Sequence, residues 1–204
     1  MCTNNGAQYG SINSKEIVIS TNKTMHLKIR QEKSSDPTIV FELIRIAFEN
    51  EQYSDHQEHI LVEKLRKKAE FIPQLSMVAE VEGEIVGYIL LTKVQIIDKE
   101  NQKVFDSLAL APVAVLPLFQ GKGIGGKLIL GAHQIAKELD FGSVVVLGHA
   151  DYYPKFGYVP ASVYGIKFPF DVPDENCMIK ELTDNSLKGI QGTVHYPEEF
   201  GVIS

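Results

Sequence analysis

Residues 120–128 read QGKGIGGKL, so four glycines, at 121, 123, 125 and 126, fall within six positions. Upstream lies VFDSLALAPVAV at 104–115, a strand-like run of aliphatic and β-branched residues, and downstream a helix is predicted over about 124–139. A strand that feeds a helix through so many glycines leaves main chain bare at the junction. The first turn of a helix offers unpaired N–H groups and about half a positive charge, and glycine lets an anion come close to them. An ordinary tight turn seldom needs four glycines in six residues. The junction therefore suits a bound phosphate or pyrophosphate.

The rest of the chain supplies the setting. Ser35-Asp36-Pro37 opens a helix over about 37–49, with Ile39, Val40, Leu43, Ile44, Ala47 and Phe48 at helical spacing. A second helix is expected over 59–71, its apolar side at Ile60, Leu61, Leu65 and Ala69, with Pro73 as its stop. Residues 77–97 read as a β-hairpin turning at Glu82-Gly83. Pro112 removes a ladder donor inside the next strand, which must bulge or splay there. SVVVL at 143–147 is a further strand, YYPKFGY at 152–158 a short helix, and more strands are expected at 163–168 and 176–182. Before Lys28 only EIVIS at 16–20 has strand character, so residues 1–26 are expected to be a polar tail or one added strand, and 27–204 the domain.

Three phosphate-binding patterns overlap in the loop. Gly121 with Gly126-Lys127 gives G-x-x-x-x-G-K, but Leu128 stands where a P-loop needs Ser or Thr to hold magnesium. Gly121, Gly123 and Gly126 give the dinucleotide pattern G-x-G-x-x-G, yet LPLFQ separates it from its strand and it lies past mid-chain; Asp151 keeps a ribose contact open. The third pattern, Q-x-x-G-x-G from Gln120, Gly123 and Gly125, uses the whole neighbourhood. Val113-Ala114-Val115, Leu116-Pro117 and Gln120 to Gly126 resemble motif A of the GNAT N-acetyltransferase family. Tyr152-Tyr153-Pro154-Lys155-Phe156-Gly157-Tyr158 resembles that family's F-Y-x-x-x-G-F segment, at the usual distance. The resemblance covers roughly 27–182, and the tail from Phe168 to Phe200 is similar to that of a bacterial subgroup of predicted N-acetyltransferases.

The resemblance implies an α+β fold of α/β/α layers, the GNAT acyl-CoA N-acyltransferase fold, whose mixed central sheet has two splayed parallel strands. It implies acetyl-CoA as cosubstrate, held by Val113, Ala114, Val115, Gln120, Gly121, Lys122, Gly123, Ile124, Gly125 and Gly126. It further implies transfer of the acetyl group to an amine by direct attack in a ternary complex. The oxyanion would be held by backbone N–H near Val115, and Tyr153 would be the acid for the coenzyme A sulfur. One departure stands out: the asparagine often found between the last parallel strand and the tyrosine is absent, that linker being GHAD at 148–151.

Chemistry sets one further demand. An amine of pKa near 10.4 is protonated at neutral pH, so a base must act directly or through water. Glu49, Asp106 and His149 fit by type alone, and the loop at 50–58 with the stretch 159–204, including Tyr164, Phe168, Phe170 and Tyr196, is expected to face the acceptor. An alternative is a non-catalytic acyl-CoA-binding sensor or interaction module.

The resemblance implies an amine-bearing small molecule or peptide as partner and is compatible with a homodimer; composition bears on what is excluded. A formal charge of −6 over 204 residues argues against broad nucleic-acid binding. The longest apolar run, 108–119, holds two prolines and is shorter than the roughly 20 residues of a membrane helix. Cys2 and Cys177 lie far apart and the six histidines lack ligand spacing, so no disulfide framework or metal site is expected; a soluble cytoplasmic protein is. Neither cysteine is expected at the site, so no covalent acyl-enzyme is anticipated.

Overall fold

A computed structural model describes residues 26–52 and 54–201; the EIVIS stretch at 16–20 lies outside them. In chain order the elements are β1 (Leu27–Gln31), α1 (Pro37–Phe48), α2 (Glu58–Leu65), β2 (Phe71–Val81), β3 (Glu84–Asp98), β4 (Lys103–Val115), α3 (Ile124–Glu138), β5 (Ser143–Leu147), β6 (Val159–Pro160), β7 (Ile166–Lys167), β8 (Cys177–Glu181) and β9 (Gly192–His195). The strands form one mixed sheet in the order β1-β2-β3-β4-β5-β8-β6, while β9 pairs with both β3 and β7. The sheet separates two layers. On one face α3 packs over Leu75, Met77, Ile89, Leu91, Leu108 and Val144. On the other, α1 and α2 cover Val78, Tyr88, Leu90 and Ala114, and the chain after β5 covers Val94, Ile96, Ala109 and Val145. This is the layered α+β arrangement that the resemblance implied.

Local chemistry accounts for most boundaries. Pro37 occupies the first turn of α1, where its missing N–H costs nothing. Asp36 does not cap that helix with its side chain; its carboxylate instead accepts from the Lys33 N–H at 2.8 Å and from Arg30 at 2.6 Å. Glu82 and Gly83 both take positive φ, 51° and 90°, as a two-residue hairpin turn requires. The second helix is shorter than its periodicity predicts, ending at Leu65, because Phe71 already pairs with Thr92 of β3. Pro73 therefore sits inside β2. The register jumps from Phe71↔Thr92 to Ser76↔Leu90, and the proline falls in that irregularity, where no ladder donor is needed.

β4 carries the bulge that Pro112 foretells. Pairing with β3 runs regularly up to Leu110↔Leu91, shifts, and resumes at Val113↔Ile89; the Ala111–Pro112 bond is cis. The shift changes the strand's parity. Ala109 lies on the α1 side before it and Ala114 on that side after it, while Leu110, Val113 and Val115 all pack toward α3. Parallel pairing of β4 with β5 is confined to Leu108↔Val144 and Ala109↔Val145, so beyond Ala109 the two strands part.

Between 163 and 168 only Ile166 and Lys167 form a strand, Ala161–Tyr164 being a 3-10 turn. Helix at 152–158 shrinks to a 3-10 turn over Tyr153–Phe156. β1 and β9 are strands that local patterning did not announce.

Candidate active site

The open end of the β4–β5 pair is defined by its hydrogen bonding. Leu116 donates its N–H to the Val86 carbonyl at 2.9 Å, and Gly87 faces Val115, which fixes the alternation along β4. Ala114 exchanges its main-chain bonds with Tyr88. The N–H and C=O groups of Val113 and Val115 point the other way, toward β5, where no strand pairs with them. The Val115 carbonyl is reached by the Gln120 side-chain amide at 3.1 Å. Ala114 and Ile124, both expected to touch a ligand, have their side chains buried in the two cores. The ladder also occupies the main chain of Ala114, so only the main chain of Ile124 remains for a ligand.

α3 begins at the mouth of this gap. Gly121 and Gly123 take φ of 73° and 77°, a left-handed conformation that favours glycine, and Gly123 is the residue preceding the helix. The first intrahelical bond runs from Lys127 N–H to the Gly123 carbonyl, leaving the N–H groups of Ile124, Gly125 and Gly126 without helical acceptors. The other two glycines serve a different purpose. A Cβ on Gly125 would lie 3.1 Å from Tyr152 Oη, and one on Gly126 would lie 3.2 Å from Phe156 Cε1, so their bareness admits the aromatic segment against the helix. Lys122 folds back, donating to the Leu118 carbonyl at 2.9 Å over the Phe119 ring.

Tyr153 stands at the end of β5. It is 8 % exposed, its ring is T-shaped against those of Tyr152 and Tyr158, and one ring edge rests on Gly148. Burial, with the neighbouring Tyr152 second, raises its hydroxyl above the ordinary tyrosine range, so the proton stays on at neutral pH. Gly148 is clamped by Asn176, whose carbonyl accepts the Gly148 N–H at 3.0 Å and whose side-chain amide donates to the Gly148 carbonyl at 2.9 Å. The Tyr152 and Tyr153 N–H groups both turn back to the His149 carbonyl.

The base candidates separate. Asp106 pairs with Lys93 at 2.8 Å, nine residues before Val115 and roughly 25–30 Å away along the strand. Glu49 is exposed at the end of α1, and exposed His149 alone belongs to the segment that leads into Tyr153. Cys177 faces Leu147 across β8 and β5, next to Asn176 in the chain. Burial first, and Asp174 second, push its thiol up, away from the reactive thiolate.

On the far side, Tyr196 gathers Phe168, Phe170 and Phe200 at ring separations of 6.3, 5.2 and 5.0 Å, and half-buried Tyr164 packs, like Phe168 and Tyr196, against the core cluster of Ala161 and Ile166. Lys68, just after α2, pairs with Glu198 and Glu199 and ties this stretch to the helical layer. Sequence reasoning missed Gly148, Asn176 and the buried contact of His133 with Tyr158, 2.8 Å between Nε2 and Oη. Among the described residues no group of three or more potential metal ligands occurs, and no helix is long and apolar enough to cross a membrane.

A parted pair of parallel strands with exposed main chain, a glycine-rich helix start and a tyrosine at the second strand's end together define an acyl-transfer class of site. The acetyltransferase (GNAT) domain model matches residues 73–160, from β2 to β6. The uncharacterized N-acetyltransferase YjhQ of Escherichia coli K12 is 35% identical over 162 residues, which span 76% of this chain and 88% of that protein. The chain belongs to the GNAT N-acetyltransferase family. The crystal structure of YhbS from Escherichia coli in complex with CoA superposes with a TM-score of 0.78 at 25% identity, covering 90% of this chain and 97% of that one. A GNAT acetyltransferase from Brucella melitensis in complex with acetyl-CoA gives 0.69 at 30% identity, over 86% and 99%.

Proposed function

We propose that this protein is an acetyl-CoA-dependent N-acetyltransferase, residues 27–204 forming its catalytic domain, that acetylates an amine-bearing small molecule or peptide in the cytoplasm by direct attack within a ternary complex. The observation that carries this reading is the meeting, at one end of the sheet, of the unpaired main chain of Val113 and Val115, the bare N–H groups opening α3, and buried Tyr153. The two relatives solved with CoA and acetyl-CoA support the choice of cosubstrate.

Each group then has a task. The pantetheine amides of acetyl-CoA add to the open side of β4 through Val113 and Val115, as a ligand strand would. Its pyrophosphate lies on the N–H groups of residues 124–126, flanked by Gly121 and Gly123, with Gln120 and Lys122 at the rim. The neutral amine attacks the thioester carbonyl carbon, and the Val115 N–H faces the oxygen on which charge builds. The tetrahedral adduct collapses by breaking the C–S bond. Tyr153 donates its hydrogen bond to the departing sulfur. A thiol titrates near 8.5, below this buried phenol, so Tyr153 keeps its proton and stabilises the thiolate through the hydrogen bond, while the proton lost by the amine passes through water to solvent.

The test is a screen of amines, peptides and aminoglycosides scored by release of free thiol. Turnover with any acceptor supports the proposal; silence across the panel with coenzyme A still bound points to a binding module. Affinity for NAD that survives competition by coenzyme A would favour a nicotinamide site instead. Incubation with radiolabelled acetyl-CoA alone leaves no acid-stable label, because Cys177 is held as the thiol; a stoichiometric adduct rules out the ternary mechanism.

A further inference from the structure

The segment that carries Tyr153 is fastened to α3 at three places. Tyr152 fits over Gly125, Phe156 over Gly126, and Tyr158 is bonded to His133, seven residues or about two turns beyond Gly126. The third contact differs in kind. His133 and Tyr158 are 7 % and 2 % exposed, and His133 Nδ1 is buried with no hydrogen-bond partner among the described residues. Burial foremost, with Lys180 second, keeps the imidazole neutral. A neutral imidazole has one N–H and Tyr158 one O–H, and a single hydrogen bond joins them. Whichever group donates, one polar hydrogen inside the core is left over. An apolar pair of the same shape would hold the core about as well or better, so stability alone does not explain why these two polar side chains stand here.

The geometry supplies another reason. Tyr158 presents its ring to Tyr153 at 5.6 Å between centroids and 74° between planes, in addition to the contacts Tyr153 makes with Tyr152 and at Gly148. A ring lacking a fixed polar end can rotate or slide within an apolar core; one hydrogen-bonded to a helix cannot. We propose that His133, acting through Tyr158, is a positioning residue that fixes Tyr153 against the coenzyme A sulfur. The helix whose first turn receives the pyrophosphate thereby also sets the hydrogen-bond donor for the leaving group. This rests on the reading of Tyr153 given above.

Two variants and two readouts test it. His133→Leu removes the bond from the helix side, and Tyr158→Phe removes only a hydroxyl, so that one remains if the other fails to fold. Tyr153 is observed directly in protein labelled with 3-fluorotyrosine, its fluorine resonance assigned through Tyr153→Phe. The resonance is expected to shift or split in both variants. Single-turnover acetyl transfer should fall by about 10- to 100-fold, the effect of a displacement on the order of 1 Å, with coenzyme A affinity unchanged. His133→Gln, which keeps a donor near the Nε2 position, should recover most of the rate, and His133→Leu should cost nothing further in the Tyr153→Phe background. An unmoved Tyr153 resonance in both variants, or a loss of full size in the Tyr153→Phe background, overturns the proposal. If Tyr153→Phe itself keeps the wild-type rate, the role of Tyr153 in the chemistry falls instead, and the fluorine signal still reports whether His133 holds the ring.

Discussion

Adding one methyl group at Gly148 should disable the enzyme without emptying its cofactor site. A Cβ built there would lie 2.2 Å from Tyr153 Cε2, 2.7 Å from Cδ2 and 3.2 Å from Cζ. Carbon atoms rest at about 3.5–4.0 Å, so something must move by roughly 1.3 Å or more. The Gly148 backbone is poorly placed to yield, since Asn176 bonds both its N–H and its carbonyl. The ring cannot turn freely either, being edged by Tyr152 and Tyr158. Tyr153 therefore slides outward, with an overpacking cost of about 1–3 kcal/mol. A displacement of that size at a reacting group lowers the rate by about 10²-fold. The assay is single-turnover transfer from acetyl-CoA to an acceptor found by the screen, beside calorimetric coenzyme A binding and a thermal melt. Gly148→Ala should melt somewhat earlier, bind coenzyme A as wild type and transfer slowly. A folded variant with the wild-type transfer rate would refute the argument that this glycine sets the tyrosine's place.

Other expectations are briefer. Tyr153→Phe keeps the packing and removes the donor, so coenzyme A affinity should hold while the single-turnover rate falls by about 10²–10⁴-fold; an unchanged rate across the active pH range assigns the tyrosine to the core. Gly125→Val puts a branched side chain where Tyr152 Oη already stands 3.1 Å from the Cβ position, and should lower coenzyme A affinity by more than about tenfold; undiminished binding by a folded variant means the loop is not the cradle. His133 titrates at about 4 rather than 6.5 in the folded chain. The unfolded chain takes up the proton first, so this contribution is complete above pH 6.5 and drains away as pH falls toward 4. By pH 4.5 wild type should have lost about 2.5 kcal/mol more than His133→Leu, relative to pH 7.5, as read by urea unfolding; parallel losses in the two proteins would contradict the buried neutral histidine.

What could be read in advance was what neighbours in sequence decide. The Glu82-Gly83 turn, the bulge at Pro112 and the glycine-rich start of α3 are short-range backbone chemistry, and each stands where the residues placed it. The end of α2 was misplaced because Pro73 stops a helix and tolerates a β-bulge equally well; only pairing with Thr92 side by side with Phe71 decides between them. β1 and β9 are five and four residues long; the partner of β1 lies some 50 positions away and those of β9 some 100 and 26, so no local pattern reports them. The loop residues around the candidate site were legible as a motif. The supports were not: Gly148 looks like any linker glycine and His133 like any helix histidine until Tyr153 and Tyr158 are folded onto them.

The bulge in β4 also works as a spacer. Leu110 and Val113 lie on the same face although three residues apart, because one extra residue stands between them against the two-residue step of β3. Take one residue out between them and the strand regains plain alternation: Val113, Ala114 and Val115 keep their partners in β3 and their layers, and the irregularity alone is lost. What such a deletion removes is the local bend and added twist that a bulge puts into a strand, just where β4 leaves β5 beyond Ala109. Length at this one turn of strand thus governs how far two parallel neighbours diverge, whereas substitutions on either side of it act through packing.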